Sequence, residues 1–553
     1  MKKYFIIVFL FFLIAAFIFF MPVFQKAETS SFFPEFEEEQ INVFIDGKPI
    51  ELENEILIVD NEIMLPINFI AKYIDESIFY DENNNVVITT EDKVIRMQTE
   101  EINYFVNHEP LNLNVPAMNI DDVAYLPIET FSDLFEIEVR LYDENILTID
   151  FWIEEKKEAS VLEKISLKSE AGFRNSYFEK IETGRVEVYD EVEEWYYVKS
   201  ENGNFGYVLK EKLGEIETFK RGEREIVRRD PWKPENGKIN MVWEQILNSR
   251  QNADEHRLVP SEGLDVISPT WFYLGNEEGD VTSIASKAYV DWAHGNGYQV
   301  WALFDNRFNA TLTHNVLSDT LKREKVIKQI LAYAAIYELD GINIDFEALR
   351  SETGPYYIQF MRELTPMLKK EGLVVSVDMY VPASWTRFYN RPVLGELVDY
   401  FIVMAYDEHW GTSPVSGSVA SLPWVEKGIV ETLVDVPAEK LILGVPYYTR
   451  KWKEEIIDGQ LVVKPTSIGM TRSERVSRER NLELVWLEDI GQYYFEYEEG
   501  GARHRVWHED LRSMGLRLDL VDKYDLAGIA GWRRGLELPD LWPFLEERLK
   551  SNN

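Results

Sequence analysis

The 553-residue chain contains no cysteine. That absence removes disulfides, thiolate nucleophiles, iron–sulfur clusters and cysteine-ligated zinc together. Histidine is scarce, seven residues in all, and none falls in an HExxH or HxH pattern, so neither a metal site nor a cofactor is implied. Positive charge is outnumbered: 58 Lys and Arg face 97 Asp and Glu, a formal net charge of −39. A surface of that sign repels phosphate backbones and anionic headgroups, which excludes nucleic acid as a partner. Long apolar runs are missing too, except at the N-terminus.

There, Lys2 and Lys3 precede an uncharged run from Tyr4 to Phe24, closed by Lys26. About 20 apolar residues match the hydrocarbon thickness of a bilayer. The leading lysines place the N-terminus in the cytoplasm and the remainder outside. A cleaved signal peptide shares these flanks but has a shorter apolar core, and the best small residue nearby, Ala27, has the bulky Gln25 two positions before it, a poor cleavage site. Residues 1–27 therefore read as an uncleaved transmembrane signal anchor with extracellular C-terminal domains; cleavage would instead release the protein as a secreted one.

The rest is too long for one hydrophobic core and divides by pattern. Residues 41–151 hold an internal repeat at an offset of 61 to 62 residues: Phe44-Ile45-Asp46-Gly47 returns as Phe105-Val106-Asn107-His108, Met64-Leu65-Pro66 as Tyr125-Leu126-Pro127, and Tyr80-Asp81-Glu82-Asn83 as Tyr142-Asp143-Glu144-Asn145. Each copy predicts short strands, a helix after the Leu-Pro-Ile step and a strand pair about the YDEN turn. This α+β unit resembles the stalk-like copper amine oxidase N-terminal domain, without copper ligands, which implies a spacer or adhesion role. Residues 158–216 predict short alternating strands with tight turns, including Trp195-Tyr196-Tyr197-Val198 and Asn202-Gly203. That order resembles a bacterial SH3-like β-barrel, and the resemblance implies a grip on the cell wall; aromatics serving only as core remain the alternative. A proline-bearing stretch from Phe219 to Glu235 reads as a linker.

Over 236–550, apolar strands alternate with amphipathic helices. Candidate strands are Ile239–Trp243, Val266–Thr270, Gln299–Phe304, Gly341–Phe346, Val374–Met379, Tyr400–Met404, Leu441–Val445 and Leu526–Gly531. Eight β-then-α units are the arithmetic of an α/β (β/α)8 TIM barrel.

The fourth of these strands runs Asp340-Gly341-Ile342-Asn343-Ile344-Asp345-Phe346-Glu347. Alternation puts Asn343, Asp345 and Glu347 on one face and Ile342, Ile344 and Phe346 on the other. In a barrel strand the aliphatic row meets the helices and the polar row enters the interior. Two carboxyls and an amide buried in a row cost several kcal/mol unless they serve each other or a ligand, about the cost of that many unpaired polar groups. A structural role fits this poorly, and the spacing does not suit a calcium loop.

D-G-x-N-x-D-x-E resembles the D-x-x-D-x-D-x-E signature of glycoside hydrolase family 18, most closely its spore-germination and cortex-lytic branch. Met404-Ala405-Tyr406-Asp407 is similar to the family's M-x-Y-D, and Trp532 stands where the family keeps a Trp on its eighth strand. The resemblance runs over roughly 238–545 and implies substrate-assisted retaining hydrolysis of N-acetylglucosamine linkages in peptidoglycan, spore cortex or chitin. It implies Glu347 as general acid, Asp345 orienting the acetamido group, Tyr406 bonding the acetamido oxygen, Asp407 contacting the same sugar and Trp532 as apolar floor. Asn343 departs from the family's usual Asp and predicts an altered pH profile. Asp345 is expected to raise the pKa of Glu347. Trp410 is a candidate for stacking on a neighbouring sugar; Asp305, Asn306, Arg307, Tyr447 and Tyr448 are weaker sugar contacts, and Trp271 and Trp507 read as structural. The expected partners are an N-acetylated polysaccharide, the cell wall and, through the anchor, the membrane. The rival readings are a chitinase and a non-catalytic sugar-binding protein on the same barrel.

Overall fold

A computed structural model describes residues 41–550 apart from 144, 153–154, 173–176, 221–225 and 227–228. The expected anchor lies outside the described residues; among those described, no helix is long and apolar enough to cross a membrane. The chain forms two compact units, the first of residues up to 227 without 89–94 and the second of residues from 228 onward together with 89–94.

In the first unit the repeat takes the expected form. Strand Glu62–Pro66 leads into helix Ile67–Tyr73, and Val123–Pro127 into helix Ile128–Phe131, each starting after the Pro of the L-P-I step. The two copies meet through these strands, with Leu65 opposite Leu126 in an antiparallel pair. Val43, Leu65, Ile70, Leu126, Leu147 and Ile149 lie in one buried cluster, so the two copies share a core that neither could close alone. Residues 156–219 form a seven-stranded antiparallel sheet that includes Arg185–Val192, Phe205–Leu209 and, as expected, a strand over Trp195–Lys199. Sequence patterning treated these modules as separate, but they pack as one unit. Phe44 stacks on Phe205 at 4.4 Å, and the buried Lys199 ammonium pairs with Asp150 at 3.1 Å.

The second unit is an eight-stranded parallel barrel: β1 Ile239–Glu244, β2 Val266–Leu274, β3 Gln299–Asp305, β4 Gly341–Asp345, β5 Val374–Tyr380, β6 Tyr400–Met404, β7 Leu441–Pro446 and β8 Gly528–Trp532. It closes because β1 pairs with β8, Ile239 opposite Gly528, as well as with β2, Met241 opposite Val266. Gly528 is required there, since a Cβ would lie 2.1 Å from the Ile239 carbonyl oxygen. Helix Thr320–Tyr337 precedes β4 and helix Gly354–Lys370 leads from β4 to β5. The first starts cleanly because the Asp319 carboxylate accepts from the Leu321 and Lys322 amides.

Three features depart from the sequence reading. The β1–β2 connection forms two short 3₁₀ turns, Ser249–Ala253 and Glu255–Leu258, instead of an α-helix. Its Asn and Asp side chains compete for the backbone, as when Asn248 accepts from the Arg250 amide. The end of the linker belongs to the barrel, where the Trp232 ring packs edge-on against Trp301 and its carbonyl accepts from the Tyr400 hydroxyl at 2.7 Å. Finally, a five-stranded antiparallel sheet built from residues 448–508 interrupts the connection from β7 to β8. Its first hairpin turns at Asp458-Gly459, both at positive φ, the geometry an Asp-Gly pair favours.

Candidate active site

Strand β4 presents its polar row to the barrel interior and its aliphatic row to the helices, as alternation requires. Phe346 fixes the wall side, stacking on Tyr357 and Phe360 of helix Gly354–Lys370 at 5.9 and 5.7 Å. On the inner side the Asn343 amide is fully engaged. Its Oδ1 accepts from the Trp243 indole at 3.0 Å and the Ser268 hydroxyl at 3.2 Å, and its Nδ2 donates to Ser376 at 3.0 Å and Asp378 at 2.8 Å. Asp345, one step nearer the rim, is buried, and its Oδ1 has no hydrogen-bond partner. Glu347 follows beyond the strand end and is half-buried.

The Glu347 backbone is clamped. The fully buried Asn306 amide donates to the Glu347 carbonyl at 2.8 Å and accepts from its N–H at 3.1 Å. Above the clamp, the Tyr380 hydroxyl hydrogen-bonds the Glu347 carboxylate and accepts from the Ala348 amide at 3.2 Å. Burial is the first cause holding Glu347 above the ordinary carboxylic range; Tyr380 opposes it, and repulsion from Asp407 and Asp305 adds to it. Asp345 is pushed well up by burial and then by Glu347, Asp378 and Asp305. The expected coupling of Asp345 and Glu347 therefore falls chiefly on Asp345, the deeper of the two, while burial raises the acid. Asp305, paired in register with Asp345 on the adjacent strand, is pushed up to about 6 by burial.

Tyr406 and Asp407 leave the end of β6. Buried, with Asp378, Tyr448, Asp345 and Glu347 around it, the Tyr406 hydroxyl keeps its proton well above the ordinary range. Asp407 adopts a left-handed backbone (φ 63°) and is held by Arg450 Nη2 at 2.6 Å and by the Tyr448 hydroxyl. Trp532 ends β8, partly exposed. Trp243 ties these parts together: its ring lies 5.8 Å from Trp532 and 6.4 Å from Tyr406, both edge-on, while its N–H reaches Asn343. Trp410 stands half-exposed on the loop after β6, its indole N–H donating to Thr412 at 2.9 Å.

Six of the seven expected residues, Asn343, Asp345, Glu347, Tyr406, Asp407 and Trp532, thus converge at the C-terminal ends of β4, β6 and β8, the face on which TIM barrels build active sites. Trp410 stands apart on the loop after β6, where its indole N–H is engaged by Thr412. Asn306 turns inward to the acid instead of outward to a sugar, Tyr447 is buried beside Trp542, and Trp271 and Trp507 are core. Trp243, Asp378 and Tyr380 escaped the sequence reading. A signal for two of them was present: Ser376, Asp378 and Tyr380 alternate along β5 with the same polar period as Asn343, Asp345 and Glu347. Among the described residues no group of three His, Asp or Glu side chains is arranged to hold a metal ion.

Comparison with known proteins points to the same barrel. Residues 309–537 match the model of glycosyl hydrolases family 18, and 44–149 match the copper amine oxidase N-terminal domain. The chain is 26% identical over 254 residues to the cortical fragment-lytic enzyme of Bacillus subtilis, covering 44% of this chain and 58% of that protein. It is 24% identical over 306 residues to the di-N-acetylchitobiase of Rattus norvegicus, covering 48% of this chain and 79% of that one. The chain spans little more than half the length of the curated relatives it matches first, 54% and 58%. Among solved structures, the Bacillus cereus spore cortex-lytic enzyme SleL shares the fold at a TM-score of 0.51 and 21% identity, over 58% of this chain and 76% of that one. Fold and family match converge on the C-terminal barrel, whose residues 309–537 form a glycosyl hydrolase family 18 domain.

Proposed function

We propose that the protein is a membrane-anchored, extracellular hydrolase that cleaves N-acetylglucosamine linkages of peptidoglycan or spore cortex with retention of configuration. The observation that carries this reading is the inward-facing row of Asn343, Asp345 and Glu347, which ends in a clamped, half-buried carboxyl and leaves one oxygen of Asp345 unpartnered. Glu347, protonated because burial raises its pKa, gives its proton to the departing glycosidic oxygen. The carbonyl oxygen of the substrate's own acetamido group attacks the anomeric carbon as that bond breaks, forming an oxazolinium ion. The open oxygen of Asp345 accepts the acetamido N–H and, once ionised, balances the positive charge. The Tyr406 hydroxyl donates to the acetamido oxygen, Asp407 holds a sugar hydroxyl, and Trp532 supports the apolar face of the ring. Water then enters from the side the leaving group vacated; Glu347, now a carboxylate, takes its proton as the oxazolinium opens.

Similarity to a cortical fragment-lytic enzyme is consistent with a wall substrate. So is the expected order of anchor, repeat spacer and SH3-like module, which would hold the barrel beside the wall. A cleft of about 1040 Å³ between the repeat and the antiparallel sheet, lined in part by Tyr189, Tyr197, Tyr207, Asp46 and Lys156, offers the polymer a seat. The test incubates the detergent-solubilised full chain and its Glu347→Gln variant with purified peptidoglycan and with chitin oligomers, identifying new reducing ends by mass. The parent is expected to release N-acetylglucosamine-ended muropeptides, and the variant to be slower by about 100- to 10,000-fold, the worth of a general acid. Cleavage of chitin alone would overturn the wall reading. Binding without cleavage would overturn the enzyme.

A further inference from the structure

Lys199, at the end of strand Trp195–Lys199 in the first unit, is only 1% exposed, and an ammonium taken that far from water needs partners. Two carboxyls supply them. Glu187 faces Lys199 in register on strand Arg185–Val192, with Oε2 2.9 Å from Nζ. Asp150, on strand Ile146–Phe151, puts Oδ2 3.1 Å from the same nitrogen. The rings of Tyr189 and Tyr142 flank Nζ at 5.5 and 5.8 Å. The two carboxyls are not equivalent. The other oxygen of Glu187 is held by Lys156 at 3.0 Å and Arg140 at 3.3 Å. Burial works to raise the Glu187 carboxyl, but Lys199 and Lys156 outweigh it and hold it below the ordinary range. Among the described residues, Asp150 has no cation within ion-pair distance except Lys199. Tyr189 bridges the two: its hydroxyl oxygen lies 2.9 Å from Asp150 Oδ1 and 3.2 Å from Glu187 Oε2. A phenol has one proton to give. Both contacts are satisfied when Asp150 carries a proton and donates it to the phenol oxygen, while the phenol donates to Glu187. In that state an amine, a protonated carboxyl and a fixed carboxylate meet in one buried place, which is a nucleophile, an electrophile and a base.

We propose that Lys199 and Asp150 join in an intramolecular isopeptide bond, formed by the folded protein itself with Glu187 as the base, which links the repeat covalently to the antiparallel sheet. The cluster starts as an ion pair: burial disfavours the Lys199 charge, and Asp150 and Glu187 outweigh it. The reaction begins when the ammonium passes one proton along its hydrogen bond to Asp150, a transfer that burial assists because it removes two charges. The Nζ lone pair then attacks Asp150 Cγ and forms the C–N bond. Glu187 takes a proton from the attacking nitrogen and gives it to the departing hydroxyl. The C–O bond breaks, and water leaves into the cleft that Asp150, Glu187 and Tyr189 line. One C–N bond replaces one C–O bond, one water is lost, and neither an oxidant nor a cofactor takes part. Lys199 and Asp150 each give up one charge, so the net charge is unchanged. A chain without cysteine thereby gains a cross-link that no reductant opens, closing the loop between residues 150 and 199. The bond is independent of the hydrolase reading.

The experiment denatures the purified full chain, digests it with trypsin and sequences the peptides by mass. The expected product is a branched peptide that joins residues 141–156 to residues 186–210, with no cleavage after Lys199. It should be one water lighter than its two parts, with fragment ions that place the bond between Lys199 Nζ and Asp150 Cγ. Glu187→Gln keeps the shape of the side chain and removes the base. Harvested and digested beside the parent, that variant is expected to hold the branch at under about a tenth of the parent's level, in keeping with the worth of a general base. Lys199→Arg should hold none. A parent digest that yields residues 186–199 as a free peptide and no branch overturns the proposal. A branch made through Glu187 instead of Asp150, or a Glu187→Gln variant that branches as fully as the parent, overturns the assigned roles. Should Glu187→Gln fail to fold, the parent's peptides decide alone, since the branch is read in denatured protein. No substrate enters the assay, so its outcome stands apart from that of the hydrolase test.

Discussion

Replacing Asn306 by Ala tests whether the acid is held by its backbone. The side chain is fully buried and makes four hydrogen bonds: to the Glu347 carbonyl and N–H at 2.8 and 3.1 Å, to the Thr313 hydroxyl at 2.9 Å and from the Phe308 N–H at 3.2 Å. At about 0.5–1.5 kcal/mol net for each bond, the loss is about 2–4 kcal/mol once water repairs part of it at the rim. For a domain of this size that corresponds to a fall in Tm of about 4–10 °C. Catalysis should suffer more than stability suggests, because Glu347 lies beyond the end of β4 and the clamp is what fixes its peptide. A displacement of about 1 Å costs about 100-fold in rate. Asn306 does not titrate, so the shape of the pH–rate profile should be kept while its height falls. Thermal melts and pH-resolved kinetics on muropeptide release measure both. A folded variant with parental kcat would refute the clamp, and an altered pH profile would show that Asn306 acts on protonation instead of position.

Two further outcomes follow from other parts of the barrel. Glu509 is buried against Arg517 at 2.8 Å and Ser513 at 2.9 Å, and burial pushes it up to about 7 despite Arg517. Its folded value lies above its ordinary 4.5, so the folded state holds the extra proton between those values. This stabilising contribution is present below about pH 4.5 and is lost as pH rises through 7; Glu509→Gln should flatten the decline in Tm from pH 5 to 8, and an equally steep decline would count against it. Trp410→Ala removes a half-exposed ring whose indole N–H donates to Thr412. Tm should hold within about 1 °C, as for a surface change of under 0.5 kcal/mol, while KM for polymer rises several-fold; an unchanged KM would remove Trp410 from the sugar path.

How far the site could be read depended on where each residue's neighbours lie in the chain. Asn343, Asp345 and Glu347 were legible because one strand carries them and alternation alone assigns their face. The barrel strands were legible for the same reason, each emerging within a few residues of its apolar run. Asp378 shows the same alternation one strand later, yet its meaning depends on which strand lies beside β4, and pairing is not written locally. Trp243 looks like any core Trp in an apolar strand; only closure of the barrel brings its N–H to Asn343, 100 residues away. The inserted sheet hid behind polar, charge-rich strands whose period was masked by their exposure, although Asp458-Gly459 and Gly500-Gly501 mark its turns.

By itself, then, the sequence determined the periodicities: a repeat with its two L-P-I helices, eight apolar strands with helices between most of them, and a row of polar side chains facing one way. These are properties of chain geometry, fixed by a two-residue or 3.6-residue period and by local turn chemistry. Tertiary structure decided which of those faces meet. It joined the repeat and the antiparallel sheet through Phe44 and Phe205, set Asp305, Asp345 and Asp378 at one level, and turned Asn306 from a sugar candidate into a brace for Glu347. The physical reason is that burial and hydrogen bonding depend on neighbours brought together by closure, and closure is a property of the whole barrel, which no single segment encodes.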